Sequence, residues 1–335
     1  MKLQTFAALL LLGLAHAAPS NKKRVIVNKE QFPEKLVKYT GEHDIVKIVV
    51  PVNSLNFDDF DSIVEETTKI HPNPNIVGNL TVFFIEADVD ESGKLNYQGL
   101  YVLKNNKAKK ILENGRDAAA SSGDNTRVYL AASDGLYLYN DEDQSAQKYG
   151  SITDNIIAID KESETDVLYI LTEDNTVYKV TDNGNKKEKL EDVKNAQKFV
   201  IDNEDNLYFY TTDKKLYVRT SEGVKQVAGL PEEPSSLFLP KCPIVLDDLL
   251  PILVDEKLYI VYANGTSTSS EVEFATDFHP TAFAPEGSVV QYYGYNKKIY
   301  EFNLLAIQSE NNARIKSDDL IRIAVEKLIK NKNKE

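Results

Sequence analysis

One short pattern is written three times between residues 127 and 218. Val128-Tyr129-Leu130, Leu168-Tyr169-Ile170 and Leu207-Tyr208-Phe209 each lead, across a polar turn, into a second tyrosine motif: Leu136-Tyr137-Leu138, Val177-Tyr178-Lys179 and Leu216-Tyr217-Val218. The first tyrosines stand 40 and 39 residues apart, the second ones 41 and 39, and the two within a unit 8 or 9. A period of about forty with hairpin-linked strands in every unit is the mark of β-propeller blades. The chain is therefore expected to be all-β.

β-Branched and aromatic residues dominate these runs, which suits a pleated, packed surface. Ser133-Asp134-Gly135, Glu173-Asp174-Asn175 and Thr212-Asp213-Lys214-Lys215 supply hairpin turns between them. One such sheet cannot bury both faces, so neighbours must stack on it and the ring must close to remove its edges. The first blade is expected to begin at Leu80, with Thr81-Val82-Phe83-Phe84-Ile85 as one strand and Gln98-Gly99-Leu100-Tyr101-Val102-Leu103 carrying the second tyrosine motif after a long turn. Three clear blades follow near 117–150, 155–192 and 197–230. A loop rich in proline and leucine, 231–251, stretches the step from Tyr208 to Tyr259 to 51 residues, so Leu258-Tyr259-Ile260 reads as opening a fifth blade with a degraded second motif. Tyr292 and Tyr300, 8 apart, make a sixth. Six blades is the expected count, or seven if the unrepeated N-terminal part hides one.

In that part, residues 44–52 read as a strand, and it is the candidate for completing the last blade and locking the ring. Phe57, Phe60, Ile63 and Val64 recur at helical spacing and predict a short helix to about residue 69. After the repeats (80–308), residues 309–335 predict a short C-terminal α-helix. Ser317 would cap it, and Leu320, Ile321, Ala324, Val325 and Leu328 form its apolar stripe.

Residues 1–17 have the form of a secretory signal: Lys2, an apolar run over 6–14, then Ala15-His16-Ala17 as a cleavage site. An N-terminal extension, 18–79, separates it from the repeats. The expected protein is secreted, soluble and monomeric, with no span for a membrane. The net charge of −13, or −14 without Lys2, argues against nucleic-acid binding, which needs clustered basic residues. Two sequons, at Asn79 and Asn264, are the expected glycosylation sites. Cys242, the only cysteine, sits between Pro240 and Pro243 and reads as a buried filler.

Catalytic chemistry is scarce. There is no phosphate loop, nucleophile elbow or paired-cysteine knuckle, and outside the leader only His43, His71 and His279 occur. The turn 88–93 begins like a calcium loop but has Gly99 where its last ligand should be Glu. No catalytic residue, metal or cofactor is expected. Carboxylates such as Glu86, Asp160, Asp202 and Asp205 keep one alternative open, a calcium-dependent propeller hydrolase of lactonase or esterase type. The aromatic content is unusual, with eighteen tyrosines, thirteen phenylalanines and no tryptophan. The motif tyrosines are expected to pack between blades. Tyr139, Tyr210 and Tyr293 lie on repeat strands outside the motif and are the candidate ligand-binding residues.

The run from Val128-Tyr129-Leu130-Ala131-Ala132 through Ser133-Asp134-Gly135-Leu136-Tyr137, with Phe199-Val200-Ile201-Asp202 leading into Asn206-Leu207-Tyr208-Phe209, resembles the insect haemolymph ommochrome-binding proteins. Those are secreted carriers of a tryptophan-derived pigment, and the likeness covers roughly 80–305. It implies a non-enzymatic carrier whose partner is a small aromatic ligand, an ommochrome or a kynurenine derivative, bound at one face of the propeller axis.

Overall fold

A computed structural model describes residues 25–53, 55–56, 80–91, 93–120, 127–244, 246–287 and 290–303. The expected leader, the helix to about residue 69, the sequon at Asn79 and the C-terminal helix lie outside the described residues.

Among the described residues, twenty-five strands form six sheets arranged as a six-bladed β-propeller. Two strands come before any blade, β1 (Val25–Val27) and β2 (Val37–Thr40). Blade 1 then runs from the axis outward through β3 (Asp44–Val49), β4 (Val82–Val89), β5 (Leu95–Lys104) and β6 (Lys107–Leu112). Blade 2 holds β7 (Gly115–Ala120), β8 (Val128–Ala132), β9 (Gly135–Asn140) and β10 (Ser145–Lys148). Blade 3 holds β11 (Ile156–Lys161), β12 (Leu168–Thr172), β13 (Val177–Thr181) and β14 (Lys186–Lys189). Blade 4 follows with β15 (Ala196–Ile201), β16 (Leu207–Thr211), β17 (Leu216–Thr220) and β18 (Gly223–Gln226). Blade 5 consists of β19 (Leu237–Phe238), β20 (Leu249–Val254), β21 (Lys257–Tyr262) and β22 (Ser267–Phe274). Blade 6 has β23 (Ala282–Ala284), β24 (Val290–Tyr295) and β25 (Lys298–Asn303), and takes its outermost strand from β2.

Sequence sets each strand's radial place. In β8, β12 and β16 every residue is buried, because both faces meet a neighbouring blade. The outermost β14, Lys-Lys-Glu-Lys, is exposed throughout, and charge at such an edge discourages pairing with another chain. Six apolar clusters fill the gaps between adjacent blades, including the one between blades 6 and 1. An open stack would leave that last gap unfilled, so the ring is closed. The repeated tyrosines pack in these gaps. Tyr129, Tyr169, Tyr208 and Tyr292 are buried, and their hydroxyls donate to Asp166, Glu162, Asp202 and Glu301 at 2.6–3.1 Å.

Two sequence expectations need correction. The strand expected over 44–52 is β3, and it is the innermost strand of blade 1, with Val49, Ile48 and Lys47 facing Phe83, Phe84 and Ile85 of β4. The strand that locks blade 6 is β2, antiparallel to β25 with Val37 opposite Tyr300 and Thr40 opposite Lys298. β1 adds to blade 5, parallel to β22. The physical reason is burial. A closing strand lies outermost and half-wet, as Val37-Lys38-Tyr39-Thr40 does, whereas the near-continuous apolar run of β3 needs the interior.

The second correction concerns blade 5. Tyr259 does not open that blade; it lies on β21, opposite Ile252, in the place that Tyr217 and Tyr300 occupy opposite Phe209 and Tyr293. Counted that way, the steps from Tyr217 to Tyr259 to Tyr300 are 42 and 41 residues, and the period holds. The missing tyrosine is the first one, replaced by Pro251 beside Ile252 on β20.

Candidate functional site

The innermost strands surround an axial cavity of about 860 Å³. Every blade contributes to it. Its aromatic wall is made by Tyr97 at the start of the long β4–β5 hairpin's return strand, Phe238 of β19 and Phe283 of β23. Each of these three is half-buried, with Phe283 backed by Tyr293 in a stacked pair at 4.5 Å and Tyr97 facing the Arg116 guanidinium at 5.0 Å. Val46, Ile157 and Leu239 add aliphatic surface.

The deeper part of the cavity is charged. Lys47 on β3 lies 3.0 Å from Asp117 on β7 and donates to the Ile157 carbonyl at 2.8 Å, so one ammonium ties blades 1, 2 and 3. Asp117 also accepts from the Ile159 amide at 2.9 Å, and Asp160 accepts from the Ile201 amide at 2.8 Å. Each carboxylate thus stitches its blade to the next. Lys241 comes from the segment between β19 and β20 and crosses the axis to stand 3.2 Å from Asp160. Lys198 on β15 donates to the Leu237 carbonyl at 2.7 Å. Burial lowers the pKa of Lys47 against the pull of Asp117. The enclosing walls, and then Lys47, also lower that of Lys198, although its side chain is exposed to the space of the cavity. Burial also works against the Lys241 ammonium, but the Asp160 and Asp117 carboxylates outweigh it and hold that group above its ordinary range. The Tyr97 hydroxyl is pushed up to about 12, by burial first and then by Asp117.

Beyond Lys241 lies a second, much smaller pocket of about 50 Å³, bordered by Asp160, Asp202, Asn203, Cys242 and Glu286. Glu286 is 6% exposed, its Oε2 has no hydrogen-bond partner, and burial pushes its carboxyl up to about 8. Asp202 is raised to about 6 by burial, against hydrogen bonds from Asn206, Tyr208 and the Glu204 amide. Cys242 is half-buried, with Sγ 3.6 Å from the carbonyl oxygens of Pro243, Leu246 and Leu249. Among the described residues no group of three His, Cys, Asp or Glu is placed to hold a metal ion. The turn that begins like a calcium loop uses its acids locally: Asp90 accepts from the Lys94 amide at 2.9 Å, and Asp88 meets His43 at 2.9 Å.

The three tyrosines singled out from the sequence do not come together on the cavity wall. Tyr139 is in the gap between blades 1 and 2, edge-on to Phe83 at 4.8 Å, with its hydroxyl 3.2 Å from Asp141. Tyr210 is buried between blades 4 and 5. Tyr293 is fully buried between blades 5 and 6, its hydroxyl 3.2 Å from Gln291, and only supports Phe283 from behind. The reason is the pleat. Within a blade, side chains on second and third strands point into the gaps on either side, and the axis is reached by the innermost strands and by the end of the long β4–β5 hairpin that carries Tyr97. The cavity's own residues carry no tyrosine motif. Their one sequence signal is a lysine inside an apolar run, Lys47 in Ile45-Val46-Lys47-Ile48 and Lys198 before Phe199-Val200-Ile201. Asn264 is exposed in the turn between β21 and β22, its Oδ1 accepting from the Thr266 amide at 3.0 Å.

No family model matches the chain, and no curated protein matches it at significance. Solved structures are similar to the chain only at low identity. A structure of PorZ, a surface component of the type-IX secretion system of Porphyromonas gingivalis, has 12% identity and a TM-score of 0.47, covering 80% of this chain and 38% of that one. The present chain thus spans well under half of PorZ. U3-55K has 9% identity and a TM-score of 0.46, with 79% of this chain and 97% of that one covered. The Neurospora crassa Pan2 WD40 domain has 8% identity and a TM-score of 0.44, with 65% and 71% covered.

Proposed function

We propose that this chain is a secreted, non-enzymatic carrier that holds a small planar aromatic ligand in its axial cavity. The observation that carries this reading is the combination of a pocket of about 860 Å³ with three half-buried rings, Tyr97, Phe238 and Phe283, on its wall. That volume lies within the range of about 300–1,000 Å³ common for small-molecule sites, where apolar walls supply area and a few polar groups fix orientation. The acids that a hydrolase would need free are otherwise engaged, Asp117 by Lys47 and the Ile159 amide, Asp160 by Lys241 and the Ile201 amide. Ring stacking adds about 0.5–1.5 kcal/mol per contact beyond burial. Affinity near micromolar, about −8 kcal/mol, therefore needs the rings and the aliphatic wall together. The resemblance to ommochrome-binding proteins suggests the ligand class, an ommochrome or a kynurenine derivative.

Titration of the protein with such pigments, following its tyrosine emission corrected for inner-filter absorption, tests the reading. Saturable quenching that weakens about tenfold in Phe283→Leu is the expected outcome. Absence of saturable binding up to millimolar pigment would refute it.

A further inference from the structure

Resting on that reading, we propose that the ligand enters the axial cavity as an anion and that Lys198 holds its carboxylate. The inference comes from how the cavity's cations are partnered. Lys47 faces Asp117 at 3.0 Å, Lys241 faces Asp160 at 3.2 Å, and Lys94 faces Glu173 at 3.4 Å. Arg116 lies over the Tyr97 ring and donates to Asn155. Lys198 pairs with no carboxylate among the described residues; its ammonium donates to the neutral Leu237 carbonyl at 2.7 Å. An ammonium has three donors, so this one retains capacity for an incoming acceptor.

Lys198 is therefore the ammonium on this wall that has only a neutral partner among the described residues. Around it, Lys47 and Lys241 are balanced by Asp117 and Asp160. Lys198 is exposed to the space of the cavity, so its ammonium is accessible to an incoming carboxylate. Lys198 follows Gln197 and precedes Phe199 on β15, and its side chain is open to the cavity. A planar ligand whose rings face Phe238 and Phe283 can place one carboxylate on that ammonium in a charge-assisted hydrogen bond.

Quinoline-2-carboxylate and quinoline share one ring system and differ in the charged group, and they are the probes. Their dissociation constants are measured for the native protein, Lys198→Met and Lys198→Arg, with thermal unfolding of each variant as the folding control. The carboxylate is expected to bind the native protein roughly tenfold or more tightly than the bare ring, the range of a charge-assisted hydrogen bond. Lys198→Met should abolish that preference, and Lys198→Arg should keep most of it. Equal affinity of the two probes for the native protein, or a preference that survives in Lys198→Met, overturns the assignment of Lys198 while the carrier reading stands. Binding of neither probe overturns the assignment of Lys198, and the pigment titration decides the carrier reading separately. If Lys198→Met fails to fold, Lys198→Gln removes the charge in its place and decides by the same comparison.

Discussion

Glu286 offers a quantitative test of the buried electrostatics along the axis. Its carboxyl is 6% exposed with one oxygen unpartnered, and its pKa moves from an ordinary 4.5 to about 8, with burial as the largest cause. At about 1.36 kcal/mol per tenfold change, that difference corresponds to roughly 5 kcal/mol. The sign follows from linkage. Between the two values the folded protein keeps a proton that the unfolded chain releases, so stability is fully present below 4.5 and is lost as pH rises to about 8. Glutamine has the shape of the protonated acid and cannot ionise. In Glu286→Gln this loss disappears. Water entering the adjoining pocket would relieve part of the penalty in the native protein, so a net gain of about 2–4 kcal/mol at alkaline pH is the expected size. Denaturant unfolding of both proteins between about pH 5 and 9 measures it, since titration of all other groups cancels in the difference. The variant should gain on the native protein steadily as pH rises and level off above about 8. A difference that is constant across that range would refute the reasoning.

Other outcomes follow from the same packing. Gly135 has φ +121°, and a Cβ there would sit 2.0 Å from the Ile152 carbonyl oxygen, so Gly135→Ala should lower stability by about 2 kcal/mol or more in urea unfolding. Asp117→Ala removes the partner of Lys47 and the acceptor of the Ile159 amide together, with Asp117 nearly fully buried. A loss of about 3–5 kcal/mol is expected, and a change below about 1 kcal/mol would show that Lys47 finds compensation elsewhere.

How much of this was legible in the sequence depended on radial position. The second and third strands of each blade announce themselves, because Tyr129, Tyr169 and Tyr208 repeat with their hairpin partners at a fixed period. The innermost strands vary: β7 is Gly-Arg-Asp-Ala-Ala-Ala, β15 Ala-Gln-Lys-Phe-Val-Ile. Residues at the axis line the cavity and stitch one blade to the next instead of taking part in the repeated packing, so they follow no period. That is why Tyr139, Tyr210 and Tyr293 stood out from the sequence while Tyr97, Phe238 and Lys198 did not. Ring closure was foreseen, but the strand was not, because a pairing between Val37–Thr40 and Lys298–Asn303 spans most of the chain and leaves no local pattern. Blade 5 was misread because Pro251 occupies its first motif position and left Tyr259 without its partner.

The chain has no tryptophan, so a single one introduced into the cavity reports on that site alone. Phe238→Trp places it on the wall, and Tyr217→Trp, on the third strand of blade 4, serves as the control. Titration with quinoline-2-carboxylate, followed by tryptophan emission, measures occupancy of the axis directly. Saturable quenching or a spectral shift in Phe238→Trp, with none in Tyr217→Trp, is the result the account requires. Saturable binding in solution that leaves the Phe238→Trp signal unchanged would place the ligand elsewhere and contradict it.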